Sequence, residues 1–311
     1  AGGRAGGGAA RGLRRGGAGR GGARERAAAP AADEARERAA GLEELLRTRA
    51  YLFELFHKLT GAAPDAEVLD ALLGEATAAC AGAYAEDDET MAGFARFLRE
   101  LAAREDRTGL LDAARDEYTR LFVGPAALPA PVWESPYRTK ELTLFQENTL
   151  SVRAAYRAHG LEPKRVQRVP DDHVALVCGF MARRARVALA TLAAGDAAEL
   201  AVELRDELAF SRAHLTNWLG AFARAERQSK TAVLYPQLVE ALAAFADVDA
   251  VFLAEAAYWA EGEGAADALV ENAASPGEPF GALATLEALR PFGIEDYELV
   301  SLGRSRSRDA A

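Results

Sequence analysis

An acidic pair, Asp171-Asp172, stands directly before His173 and just behind Pro170. Histidine beside carboxylates is the combination used for proton transfer and for metal ligation, so the remaining residues decide whether either chemistry is expected. The other three histidines, His57, His159 and His214, have no ligand partner at i+3 or i+4. The two cysteines, Cys80 and Cys178, lie far apart in apolar helical surroundings and read as buried free thiols in a reducing compartment. Local spacing thus predicts no metal site, and convergence over long range is not visible in a sequence. There is no H-E-x-x-H, C-x-x-C or G-x-S-x-G, and "RQSKTA" around Lys230 lacks the glycines of a phosphate-cradling loop. Carboxylates on amphipathic helices are usually a solvated face. We therefore expect no catalytic residue, no metal and no cofactor, in a chain that binds rather than catalyses.

The stretch around His173 also reads as a helix start. Pro170 ends a loop, Asp171 caps, and Asp172 and His173 fall in the first turn, where the helix dipole favours carboxylates and disfavours a protonated His173. One acid suffices for a cap, so Asp172 with His173 is more than the start requires. The helix behind them is apolar through Val174, Leu176, Val177, Phe180 and Met181. Upstream, "LFVGPAALPAPVWESPY" (121–137) interrupts a chain that is otherwise mostly Ala, Leu, Arg and Glu. Tyr118, Leu121 and Phe122 close a helix that Gly124-Pro125 ends. Pro129 and Pro131 impose an extended, stiff path. Trp133 and Tyr137 offer large apolar surfaces with a polar tip each, and Glu134 or Ser135 can cap the next helix with Pro136 in its first turn. Two readings of this segment stay open: a rigid crossing whose aromatics enter the core, or a preorganised peptide-binding wall.

Helical periodicity supplies the elements that must position these residues. In 43–59, Leu45, Leu52, Leu55, Phe56 and Leu59 share a face, and Asp65 caps the next helix. Further helices are predicted over 65–82, 88–104, 108–122, 138–160, 170–195, 197–226 and 234–261. Over 138–160 the stripe is Leu142, Phe145, Thr149, Val152, Tyr156 and His159, and His159-Gly160 ends it. No strand-like alternation appears. The fold expected is all-α, a single globular domain of eight or more helices over 33–261, behind a disordered Gly/Arg/Ala tail at 1–32. Residues 262–311 form a C-terminal extension with one short helix near 280–290. Its apolar part is expected to dock on the body, its end to fray, and residues 291–300 are a candidate cover for a groove.

Charge is uneven: the net charge is −10, yet residues 1–30 hold seven Arg against one Glu. The body is therefore strongly acidic, which disfavours nucleic acid and anionic membranes and suits basic peptides. Only four of the 37 basic residues are Lys, so Arg richness reads as GC-rich codon usage. No apolar run spans a bilayer, and Arg14-Arg15 lacks the apolar stretch of an export signal. A cytoplasmic protein is expected, without nucleic acid or stable membrane insertion.

Taken together, the two unusual segments resemble the TorD/DmsD family, maturation chaperones of molybdenum-containing reductases related to the NarJ chaperones. The resemblance rests on Tyr118-x-x-Leu121-Phe122-x-Gly124-Pro125, Pro131-x-Trp133-Glu134-Ser135-x-Tyr137 and, about 35 residues on, Pro170-x-Asp172-His173. "SVRAAYRAHGLEP" (151–163) fits the helix and turn between them, and the likeness covers about 43–260. Val169 stands where the family often has Glu, and Pro136 where an apolar residue is commoner. The resemblance implies a chaperone that binds the twin-arginine signal peptide and apo form of a molybdopterin oxidoreductase catalytic subunit before export, as monomer or homodimer. On that reading Phe122, Trp133, Tyr137, Phe180 and Met181 wall a peptide groove. Glu134, Asp171 and Asp172 supply charge, and Ser135 and His173 complete the site. The alternative is a helical adaptor or regulator on the same fold with a different client.

Overall fold

The computed structural model describes residues 24–124, 128–139, 147–166, 168–228, 233–274, 281–289 and 294–302. Helix α1 (Arg24–Gly61) begins earlier than the expected 33. Glycines stop at Gly22, and from Arg24 the run is mostly Arg, Glu and Ala, strong helix formers, with Pro30 among them. The helix thus takes in residues 24–32 of the stretch expected as tail, and the rest of that stretch lies outside the described residues.

The stretch expected as one helix over 65–82 is two, α2 (Ala66–Leu72) and α3 (Glu75–Ala83). Asp65 caps the first as expected, accepting from the Val68 N–H at 2.8 Å, and Gly74 in an extended conformation separates them. Helices α4 (Glu89–Ala102) and α5 (Arg107–Tyr118) carry Asp88 and Asp106 as N-caps. A π-helical turn, Thr119–Val123, follows α5 and stops at Gly124, whose φ of 90° is one that side chains resist. Pro125 lies outside the described residues.

After the proline-rich segment come α6 (Ser135–Thr139) and α7 (Glu147–Ala158). Of the stripe expected over 138–160, Thr149, Val152 and Tyr156 are buried, while Leu142 and Phe145 lie outside the described residues. Gly160 ends the turn at φ 68°. Helix α8 (Val174–Ala193) leads to α9 (Ala197–His214) and α10 (Leu219–Glu226). The continuous helix expected over 197–226 breaks at Leu215–Trp218, where the buried Trp218 indole donates to the His214 carbonyl at 2.8 Å. Next are α11 (Tyr235–Ala260), α12 (Ala265–Ala273) and α13 (Gly281–Ala288); the described residues of the extension thus hold α12 beside the short helix expected near 280–290, and a 3-10 turn at Ile294–Tyr297.

Two strands were not expected. β1 (Leu161–Pro163) pairs antiparallel with β2 (Leu299–Ser301), Leu161 opposite Ser301 and Pro163 opposite Leu299. Three residues are too few to show alternation in a sequence. The fold is all-α in every other described element.

Helix α1 packs most extensively on α8, and α11 lies against α9 and α10. The larger part of the core is aromatic, with Phe245 meeting Phe53, Phe56 and Tyr84 at ring distances of 4.8, 5.9 and 5.2 Å. The smaller part, where α1, α8, α9, α11 and α12 meet, is built from Ala and Leu. Between them Arg49 is buried with Glu207 (2.6 Å) and Asp249 (2.5 Å), all three without exposure. Burial opposes the Arg49 charge, but the two carboxylates outweigh it and hold its pKa above the ordinary value. Both cysteines are buried and free.

Candidate functional site

The two segments singled out in the sequence meet in space. Trp133 and His173 form an antiparallel bridge. Beside it the Val174 N–H donates to the Val132 carbonyl (2.9 Å) and the Glu134 N–H to the Asp172 carbonyl (3.2 Å). The chain leaves helix at both places, so its backbone groups need partners from outside the helices, and each segment supplies them to the other.

The caps are exchanged in the same way. Asp172, fully buried, accepts from the Ser135 N–H at 2.9 Å and from the Ser135 hydroxyl at 2.5 Å, so it caps α6 across the crossing. Thr149 adds a longer contact to its other oxygen at 3.3 Å. The cap of α8 is His173, whose Nδ1 accepts from the Ala175 N–H at 3.1 Å. This corrects the expectation for Asp171. Asp171 precedes the cap and instead takes both guanidinium donors of Arg153, at 3.1 and 2.6 Å, while its carbonyl accepts from the Tyr156 hydroxyl at 2.9 Å. An acceptor cap requires neutral imidazole at Nδ1. Burial, then the neighbouring His57, pushes the His173 pKa down to about 3.

Glu134 is buried as well, with His214 Nδ1 2.9 Å from one oxygen and Arg138 3.8 Å from the other. His214 continues to the Ser151 hydroxyl at 3.0 Å. Thus Glu134, Asp171 and Asp172 are brought together, but each is turned inward onto a polar or basic partner. The expected acidic rim is not formed by them in this conformation.

The apolar residues divide. Phe122, Phe180 and Met181 are core: Phe122 stacks on Tyr118 at 5.2 Å, and Phe180 lies 5.0 Å from Tyr156 and 4.6 Å from Phe210. Leu121 is buried beside them, and Pro131 offers its carbonyl to the Tyr137 hydroxyl at 2.8 Å. The Pro170 carbonyl accepts from the His173 N–H at 3.1 Å. Trp133 and Tyr137 alone among the expected wall residues are half-exposed. Tyr137 lies against Trp218 (5.4 Å) and Phe222 (6.2 Å), and the Trp133 Nε1–H is buried without an acceptor among the described residues.

Several residues at the site gave no sequence signal. His57 Nδ1 lies 2.8 Å from the Ala175 carbonyl, and a Cβ on Gly179 would meet its ring at 2.9 Å, so that glycine admits the histidine between α1 and α8. Glu117 accepts from the Val233, Leu234 and Tyr235 N–H groups and thereby caps α11. Glu226 is fully buried, and among the described residues neither of its oxygens has a hydrogen-bond partner. These partners are remote in sequence, and nothing local announces them. Among the described residues no cluster of His, Cys, Asp and Glu could hold a metal ion, and no helix is long and apolar enough to cross a membrane.

Residues 82–224, which contain both segments of the crossing, match the family described as nitrate reductase delta subunit. The chain is also similar to curated proteins named Tat proofreading chaperone DmsD. That of Salmonella typhimurium is 41% identical over 56 residues, 18% of this chain and 28% of that one. That of Salmonella paratyphi A is 36% identical over 72 residues, 22% and 35% of the two chains. A probable DmsD of Haemophilus influenzae is 33% identical over 69 residues, 22% and 34%. The chain thus spans about a third of the length of the curated relatives it matches. No solved structure matches it.

Proposed function

We propose, from the match of residues 82–224 to the nitrate reductase delta subunit family and the likeness to DmsD chaperones, that the chain is a cytoplasmic maturation chaperone of the TorD/DmsD kind. Its client is the apo form of a molybdopterin oxidoreductase catalytic subunit, recognised through the twin-arginine signal peptide and held through cofactor insertion until export. One observation carries this reading: the matched region contains both halves of the crossing, and the structure joins them at Trp133 and His173. Binding in place of catalysis is supported by the names of the relatives.

The roles of the site residues divide by exposure. Trp133 and Tyr137 are the contact residues, half-exposed and held in place by the bridge and by the Pro131 carbonyl. Glu134, Ser135, Asp171, Asp172 and His173 act behind them as positioning residues, and Phe122, Phe180 and Met181 as the packing that fixes the crossing.

Titration calorimetry of the full chain with a twin-arginine leader peptide tests the proposal. We expect binding that weakens when Trp133→Ala or Tyr137→Ala is introduced and when the peptide's arginine pair is replaced by alanine. No heat with any arginine-pair leader, from a chain of unchanged helicity, would overturn it.

A further inference from the structure

Residues 294–301 lie across the front of the crossing. The Tyr297 ring meets the His173 ring at 4.4 Å, and Ile294 sits where a Cβ on Gly61 would be, 2.3 Å from that position. Ile294–Tyr297 form a 3-10 turn, and Leu299–Ser301 are held as the strand β2. Beyond the β1–β2 pair, the Lys164 N–H donates to the Glu298 carbonyl at 2.7 Å and the Leu302 N–H to the Gly160 carbonyl at 2.8 Å. Arg183 donates to the Leu299 carbonyl at 2.5 Å. Its acidic side chains face a basic row: Lys164 lies 2.9 Å from Glu298, and Arg165 and Arg168 lie 3.2 and 3.8 Å from Asp296.

We infer that β1, with Lys164, Arg165, Arg168 and the His173 ring, is a docking surface for a peptide whose acidic turn carries an aromatic residue and runs on into a strand, and that the chain's own segment 294–301 occupies it as a displaceable ligand. Strand addition supplies main-chain affinity to any extended peptide, and the flanking side chains select among them. Here they select carboxylates around one ring, the pattern of Glu295-Asp296-Tyr297-Glu298. A basic leader has the wrong charge for this row, so the surface is distinct in its chemistry from the one proposed for the signal peptide. Displacement is feasible because the hold consists of partly exposed ion pairs, each worth about 0–1 kcal/mol, a ladder of three residues and the burial of Leu299 as the one core side chain of the strand.

A labelled peptide of residues 294–302 (IEDYELVSL), followed by fluorescence anisotropy against the full chain, tests this. Glu295→Lys, Asp296→Lys and Glu298→Lys together unseat the internal segment and leave the surface intact. The peptide should bind this variant at least tenfold more tightly than the unaltered chain. Adding Lys164→Glu, Arg165→Glu and Arg168→Glu should abolish the gain. Equal binding to the first variant and the unaltered chain would overturn the inference. Hydrogen exchange on the unaltered chain gives a second reading that no folding defect can confuse. The Lys164 and Leu302 amides should exchange at least a hundredfold faster than the α8 amides of Val177 and Met181. Exchange of all four at one common rate would show a segment released only by global unfolding, and would equally overturn it.

Discussion

Around Trp133 and His173 the backbone leaves helix twice, and the two departures are tied by crossed hydrogen bonds and buried side chains of opposite polarity. At the other end, where α1, α8, α9, α11 and α12 meet, Leu46, Leu192, Leu200, Leu204, Leu253 and Leu269 interleave with alanines. Helices satisfy their own backbone groups there, so packing alone is required, and alanine allows close approach. The difference explains why unusual residue types gather in one region. Asp172, Ser135 and His173 are needed where backbone groups would otherwise be buried without partners, and Leu or Ala suffices elsewhere.

The sharpest way to break the comparison is at the junction of the two regions. Arg49→Met leaves Glu207 and Asp249 buried without their cation, a loss of about 3–5 kcal/mol. Denaturant unfolding should show it, and adding Glu207→Gln with Asp249→Asn should recover most of it. Recovery would identify the stranded carboxylates, rather than lost packing, as the cause. The next test stays in the alanine-rich end: Leu204→Ala removes a fully buried side chain and should cost about 3 kcal/mol. Affinity for a leader peptide should be unchanged in that variant once it is folded, because Leu204 packs in the Ala/Leu cluster and not among the residues of the crossing.

At the crossing itself Asp172→Ala removes the acceptor of the Ser135 N–H and hydroxyl, with an expected loss of about 2 kcal/mol in thermal or denaturant unfolding. Unlike Leu204→Ala, it should also weaken leader binding, since α6 and with it Tyr137 lose their anchor. A variant that kept full affinity while losing stability would confine Asp172 to folding.

The contrast also accounts for what the sequence made legible. Helices with a strong stripe and a clear cap, such as α4 behind Asp88 and α2 behind Asp65, are readable because their causes are local. The crossing was readable as two special segments, because proline, tryptophan and adjacent acids stand out against an Ala/Leu background. Their union was not readable, since it depends on Asp172 capping a helix 37 residues away and His173 taking the cap expected of Asp171. The breaks at Gly74 and at Leu215–Trp218 were missed because periodicity continues across them. β2 was missed because three residues carry no period.

Glu226 provides the smallest effect and the one most specific to the aromatic region. It is buried on α10 with no hydrogen-bond partner for either oxygen among the described residues, in the electrostatic reach of Glu117 and Tyr137. Burial, then Glu117, pushes its pKa up to about 8 from an ordinary 4.5. A carboxyl raised in the folded state binds its proton more tightly there than in the unfolded chain. Its contribution to stability is complete below about pH 4.5 and is lost as pH rises towards about 8. Glu226→Gln keeps the shape and cannot ionise. It should therefore flatten this slope and be more stable than the unaltered chain by about 1–2 kcal/mol at pH 8, with little difference at pH 5. Urea unfolding of both proteins across that range measures it. Parallel pH profiles would mean that Glu226 gains a partner in solution, and that this corner of the aromatic region is as fully satisfied as the crossing beside it.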